Sequence, residues 1–368
     1  MKMKKRKAYI VTNAMTPLNK SGEVTTSKFI RTIRSAYEQV TIIGGNVTLE
    51  HDLQDVHIES YEYKKDGSKL QKLQGMIGLQ KQMSAFIRNN VKNGDHVIFW
   101  LGDKMILPFR AAQKVTDHVG YFVYGNLATE GNNSLFMKLS ANLVMYMANY
   151  ADRVFVESSA VKEGWKGQLK QDVHELHLYT DMIGFNAIEN RKNKIGMLCR
   201  MAGVKHVIEA IKAFFEIHEI YSDWSLELVG SGVQEEECRK LISDLGADRY
   251  ITVFGWTEKE RVKTITDEWK WNMLASDHEG LPNSMIEMMG KGIPIIATPV
   301  GGIPDLLEDG VNGVVLGGTS VAAIKDGLTK ALKATNYADM STAAYNIVCK
   351  RYSLDGAVHE ARETLTSW

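Results

Sequence analysis

Two stretches of the chain hold side chains whose types and spacing could do chemistry. In the first, Arg200 lies just past the apolar run 195–199 (IGMLC), and Lys205 opens the helical stretch that follows. Both then project from one strand-to-helix turn. Two cations at the carboxyl end of a strand suit a polyphosphate, and also fit a solvated surface. The second stretch is 278–287, HEGLPNSMIE. Pro282 suits the first turn of a helix, where its missing N–H is an orphan anyway. Gly280 permits close backbone approach. The free N–H groups of such a helix start join the positive end of the dipole in an anion site. Glu279 stands just ahead of the helix and Glu287 inside it. Two carboxylates around such a site suit a ligand with both phosphate and many hydroxyls, as a nucleotide sugar has. A capped helix with surface carboxylates would carry the same residues.

Other candidates are weaker. A nicotinamide site wants G-x-G-x-x-G after the first strand of a domain, but NAMTPLNKSG follows the first strand here. Gly230-Ser231-Gly232 follows a later strand, yet Glu235 fills the place of the last glycine. A tight turn needing small residues explains that G-x-G as well. His174 and His177 fall in an alternating, strand-like run, where residues three apart face opposite sides. No metal site is expected from them.

The elements that must position these residues alternate. Strand-like runs at 8–14, 39–45, 96–102, 119–125, 153–158 and 173–179 are separated by helical stretches at 23–37, 68–92, 103–115, 133–150 and 159–170. A polar break follows at 181–193. The alternation restarts with strands at 195–199, 225–230, 250–255, 271–275, 293–298 and 313–317 and helices at 205–221 and 234–245. Strands alternating with helices imply parallel sheets with right-handed crossovers. The expected fold is therefore α/β, with two Rossmann-like domains, 1–182 and 183–353. Ligands in such sheets bind beyond the carboxyl ends of the strands, and two such domains facing a central cleft would put the site there.

Composition narrows the classes. The chain has 368 residues, with 44 Lys/Arg against 44 Asp/Glu, a balance that argues against a nucleic-acid binder. The zero is split: 1–182 carries 24 basic against 18 acidic residues, and 183–368 carries 20 against 26. Three scattered cysteines give no disulfide framework and fit a reducing cytosol. The basic start MKMKKRK is followed by too few apolar residues for a signal peptide. No run approaches a membrane span. A cytoplasmic protein, soluble or peripheral at the inner face of a membrane, is expected.

The run EGLPNSMIEMMGKGIPIIATPVGGIPDLLEDGVNGVVL resembles the core of family 4 retaining glycosyltransferases, also grouped as glycosyl transferases group 1. IGMLCRMAGVK resembles the family's strand, Arg and Lys that bind the donor diphosphate. LELVGSGVQEEECRKLISDLGADRYITVFGW resembles the segment near the nucleotide base, and ADRVFVESSAVKEGW the unit before the linker. The resemblance implies the GT-B fold and a metal-independent transfer from a nucleotide-diphosphate sugar, most simply a UDP-sugar, with no other cofactor. It implies that Arg200 and Lys205 neutralise the diphosphate. Glu287 would take the ribose hydroxyls. Glu279, with the backbone of Gly280 and Leu281 and the Pro282-Asn283 turn, would hold the donor sugar and phosphate. Gly22, in a loop after the first strand, would approach the phosphate. It also implies that a last helix, 354–368, packs back on the first domain.

Two departures touch the acceptor side. Many family members carry a His after a first-domain strand; FVYGN stands here, so Tyr124 or Asn126 would have to hydrogen-bond instead. The Asn-Gly-Val-Asp turn before the linker is also absent. Residues 62–92 carry seven basic residues against two acidic, with apolar residues at helical spacing. A basic amphipathic helix can grip an anionic membrane or pack on a core. The resulting expectation is a hexosyl transfer to a glycan or lipid-linked acceptor in bacterial cell-surface polysaccharide synthesis. A small soluble acceptor, or a non-catalytic sugar-binding subunit, are the alternatives.

Overall fold

A computed structural model of the chain describes residues 6–15, 20–64, 66–123 and 135–368. These fall into two compact units, Met1–Tyr179 with Leu354–Trp368, and Thr180–Ser353.

The first unit is built on seven strands: β1 (Lys7–Val11), β2 (Gln39–Gly45), β3 (His57–Tyr61), β4 (His96–Phe99), β5 (Val119–Val123), β6 (Arg153–Val156) and β7 (Val173–Glu175). Their order is β3-β2-β1-β4-β5-β6-β7, and every pairing is parallel. Its helices are α1 (Lys20–Ile33), α2 (Lys69–Asn90), α3 (Ile106–Ala112), α4 (Leu135–Tyr150) and α5 (Ser159–Trp165). The central strands are buried on both faces, so each reads as an unbroken apolar run. Phe29 of α1 stacks on Trp100 with ring centroids 3.8 Å apart, and Trp100 meets Phe122 of β5 edge-on.

The second unit repeats the plan with β8 (Lys194–Leu198), β9 (Ser225–Val229), β10 (Ile251–Gly255), β11 (Trp271–Leu274), β12 (Ile295–Ala297) and β13 (Gly313–Val315). Its helices are α6 (Val207–His218), α7 (Glu235–Asp244), α8 (Lys259–Thr266), α9 (Asn283–Met289), α10 (Val321–Leu332) and α11 (Tyr337–Arg351). The strand order is β10-β9-β8-β11-β12-β13, again all parallel. In both sheets the order reverses beside the first strand, between β1 and β4 and between β8 and β11. Ligands of open α/β sheets bind at such a switch point. Trp269 lies flat on Gly196 of β8, where no Cβ could fit, and donates Nε1–H to Glu227, 2.8 Å away.

The last helix, α12 (Leu354–Thr366), belongs to the first unit. Ala361 and Leu365 are buried beside Ile10, Ile42 and Phe155, and the Trp368 ring sits against Gly120 of β5. Arg6 donates to the Trp368 carbonyl (2.5 Å), Arg153 to that of Thr364 (2.6 Å). His177, buried, places Nδ1 2.8 Å from the Glu360 carboxylate.

The strand-and-helix alternation and the fold class match the sequence reading. The structure adds one strand that no apolar run in the sequence marks. β3 is an edge strand with a half-exposed, half-polar sequence, HIESY, and carries no apolar run. Among the described residues no helix is long and apolar enough to cross a membrane.

Candidate functional site

The turn after β8 is laced to the turn after β9. Cys199 N donates to Val229 O (3.1 Å), Met201 N to Ser231 O (3.0 Å) and Gln234 N to Met201 O (3.1 Å). A Cβ at Gly230 would overlap the Cys199 carbonyl, and one at Gly232 the Met201 carbonyl. The G-x-G is thus a close backbone contact between two loops. Arg200 leaves this turn exposed to solvent. Gly203–Lys205 makes one 3-10 turn, and His206, left-handed at φ 46°, starts α6. Burial pushes the Cys199 thiol up to about 12, because the apolar surroundings disfavour the thiolate.

The turn after β11 comes up on the other side of the switch point. Ser276, buried, donates its N–H to Thr298 Oγ1 (3.0 Å) and accepts at its carbonyl from the same hydroxyl (2.6 Å). Its Oγ donates to Glu279 Oε1 at 2.7 Å. Lys205 donates to that same oxygen, so Lys205 and Glu279 form an ion pair with side chains 18% and 10% exposed. Two more contacts join the loops. Asp277 N donates to Val204 O (3.0 Å), and His206 Nε2 lies 2.8 Å from Asp277 Oδ1. A third loop closes behind them: Gly302 N donates to Gly280 O (2.5 Å), and a Cβ at Gly301 would overlap the Glu279 carbonyl.

Helix α9 starts one residue later than the sequence suggests. Pro282 precedes it as the cap, with φ −70° and ψ 117°, and its carbonyl accepts from Met285 and Ile286. The helix has seven residues, so its dipole is short. Among the described residues, the N–H groups of Leu281, Asn283 and Ser284 have no partner within the chain. Met285, Ile286, Met288 and Met289 bury one face in the core, which turns Glu287, half-buried, to another side.

The structure therefore brings Lys205 into contact with Glu279, with Arg200 on the loop of the first and Gly280, Leu281, Pro282 and Asn283 on the loop of the second. Gly22 is not in a loop. It lies in the first turn of α1, because the helix begins at Lys20, and a Cβ there would meet nothing within 4 Å. Tyr124 and Asn126 lie outside the described residues. At the switch point of the first sheet, Asn13 N donates to Leu101 O (3.1 Å) and Asn13 Nδ2 to Asp103 Oδ1 (2.5 Å).

The structure adds Ser276, Asp277, Thr298 and His206 to the site, none of which the sequence pattern marks. Nothing in residue type marks His206 as left-handed. The Gly301-Gly302 pair, directly after an apolar run, was the one available signal. No group of three or more His, Cys, Asp or Glu among the described residues could hold a metal ion. A cavity of about 270 Å³ lies elsewhere in the second unit, lined among others by Asp181, Lys259, Lys263, Asp267 and Lys291. Lys291, buried, is already committed there to Lys263 O, Thr266 Oγ1 and Asp267 Oδ1 at 3.1, 2.6 and 2.7 Å.

Residues 180–347 match the family described as Glycosyl transferases group 1. The UDP-N-acetylglucosamine–peptide N-acetylglucosaminyltransferase GtfA subunit of Streptococcus pneumoniae is 30% identical over 122 residues, 33% of this chain and 24% of that protein. A putative colanic acid biosynthesis glycosyltransferase, WcaL, of Salmonella typhimurium is 27% identical over 172 residues, 42% of each chain. The chain spans about a quarter of the length of the first of these relatives. Among solved structures, Anabaena HepE in complex with UDP matches with a TM-score of 0.76 at 14% identity, covering 99% of this chain and 100% of that one. At that identity the likeness is one of fold, and the fold is GT-B.

Proposed function

From the premise that the second unit is a glycosyl transferases group 1 domain, we propose that this chain is a retaining, metal-independent glycosyltransferase using a UDP-sugar. The observation that carries the reading is the Lys205–Glu279 pair, set across the switch point beside Arg200. In this reading a donor diphosphate draws Lys205 away from Glu279. Arg200 and Lys205 then neutralise the phosphate charge that grows as the glycosidic bond breaks. Glu279, still held by Ser276, is released to accept hydrogen bonds from the donor sugar. The free N–H groups of Leu281 and Asn283 face the same ligand. Glu287 takes the ribose hydroxyls. The departing phosphate accepts the acceptor proton, so no separate base is required of the chain. HepE with bound UDP supports a uridine donor.

For the acceptor we propose a glycan or lipid-linked sugar of a bacterial cell-surface polysaccharide, the class named for the colanic acid relative. The first unit would serve it, and Tyr124 and Asn126 are the candidates for the acceptor and Gly22 for a phosphate contact. The enzyme would work in the cytoplasm at the inner face of the membrane.

The test is a thermal-shift screen of nucleotides and UDP-sugars, followed by a UDP-release assay with candidate acceptors. Binding stabilises the fold by mass action, by about 2.7 kcal/mol at a hundredfold excess over Kd, and so raises the melting temperature. A shift with UDP and UDP release with one sugar are expected. A screen with no shift from any uridine nucleotide sinks the donor assignment. Binding without release by any donor and acceptor leaves the non-catalytic subunit.

A further inference from the structure

Helix α2 carries two apolar stripes. One faces inward, where Leu79, Met83 and Ile87 are buried in the core of the first unit. The other faces out. Leu70, Leu73 and Ile77 are 63%, 57% and 40% exposed, and their spacing puts them on one side of the helix. Lys81 and Arg88, both exposed, continue that line, close to whole turns on from Leu70.

The first two turns of the helix are open to solvent, since every residue from 66 to 75 is exposed, with the Tyr63 ring against Gly75 at their end. A capping box keeps this end helical: Gln71 N donates to Ser68 Oγ (3.3 Å), and Ser68 N to Gln71 Oε1 (2.8 Å). The helix contains Lys69, Lys72, Lys81 and Arg88 and no Asp or Glu. Of the exposed acids before it, Glu62 lies 3.4 Å from Lys64, leaving Asp66 as the nearest in sequence. Because α2 follows β3, its free end lies at the carboxyl edge of its own sheet, the end at which α/β sheets take ligands.

Water favours the lysines but not the bare leucines. A second copy of the same face would set lysine against lysine. An anionic bilayer suits both, because its headgroup boundary accepts apolar side chains and its phosphates attract cations. We propose that α2 docks on an anionic phospholipid surface, with Leu70, Leu73 and Ile77 entering the headgroup boundary and Lys69, Lys72, Lys81 and Arg88 facing lipid phosphates. The donor site takes no part in this, so the proposal stands or falls apart from catalysis.

The test is sedimentation of the full chain with vesicles of phosphatidylcholine alone and of phosphatidylcholine mixed with phosphatidylglycerol. The chain should pellet with the anionic vesicles only, and less at high salt. Lys81→Glu with Arg88→Glu should lower partitioning at least roughly thirtyfold, since each cation near the surface contributes about a fivefold factor. Leu70→Ser with Leu73→Ser should lower it roughly tenfold or more. Circular dichroism should show both variants folded, as they alter exposed positions. Equal pelleting with neutral and anionic vesicles, no pelleting at all, or full retention by both folded variants would overturn the proposal. So would a concentration-dependent mass in light scattering that the leucine variant abolishes, which assigns the face to a second copy of the chain.

Discussion

At the residue scale, the centre of the site is one oxygen. Glu279 Oε1 accepts from both Lys205 and Ser276, so the carboxylate is held in place from one side and paired from the other. Removing Lys205 would leave Glu279 largely buried without its cation, and would remove a positive charge from the place proposed for the diphosphate. We expect Lys205→Ala and Glu287→Ala each to weaken UDP-sugar binding by about 1–3 kcal/mol, the loss expected when charge-assisted hydrogen bonds are removed. Titration calorimetry reads this directly, and unchanged affinity in both variants would remove the site assignment. Lys205 and Glu279, which the structure brings into contact, stand out in the sequence as a cation at a strand-to-helix turn and a carboxylate ahead of a Gly-Leu-Pro helix start, as Arg200 and Glu287 stand out on the same two stretches. His206 and Ser276 do not. A left-handed backbone and a buried hydroxyl leave no trace in residue type, and both depend on which loop packs against which.

At the element scale, glycines separate two kinds of constraint. Gly301 has φ 56° and its Cβ position is occupied by the Glu279 carbonyl, so any side chain there must push that loop away. Gly22 sits in a helix with open space around its Cβ position. Gly301→Ala should therefore lower stability by about 1–3 kcal/mol and weaken donor binding as well. Gly22→Ala should stabilise by about 0.5–1 kcal/mol, as alanine does in a helix. If Gly22 also leaves room for phosphate, the same change raises the donor KM while it raises the melting temperature. A Gly22→Ala variant that melts higher with KM unchanged would restrict the glycine to a helix position. The elements themselves were legible where strands are buried on both faces. They were not at β3, whose edge position lets polar residues alternate along it.

At the scale of the whole molecule, two units with separate cores should answer separately to mutation. Leu365, 2% exposed, belongs to α12 but packs in the core of the first unit. Truncating it should cost about 2–5 kcal/mol. In calorimetry, Leu365→Ala should lower the transition of the first unit and leave the UDP-responsive one in place. One merged transition that falls as a whole would show that the units do not melt independently.

The return of α12 also orders events during synthesis. The strands of the first unit leave the ribosome early, but the helix that completes the core shared by Ile10, Ile42 and Phe155 is encoded after the entire second unit. At roughly 5–20 residues per second, that interval is about 9–35 s. The half of the protein made first is therefore the half finished last. Through that interval the core that α1 has begun to cover lacks Ala361 and Leu365, and a chaperone that shields this gap has its longest opportunity there.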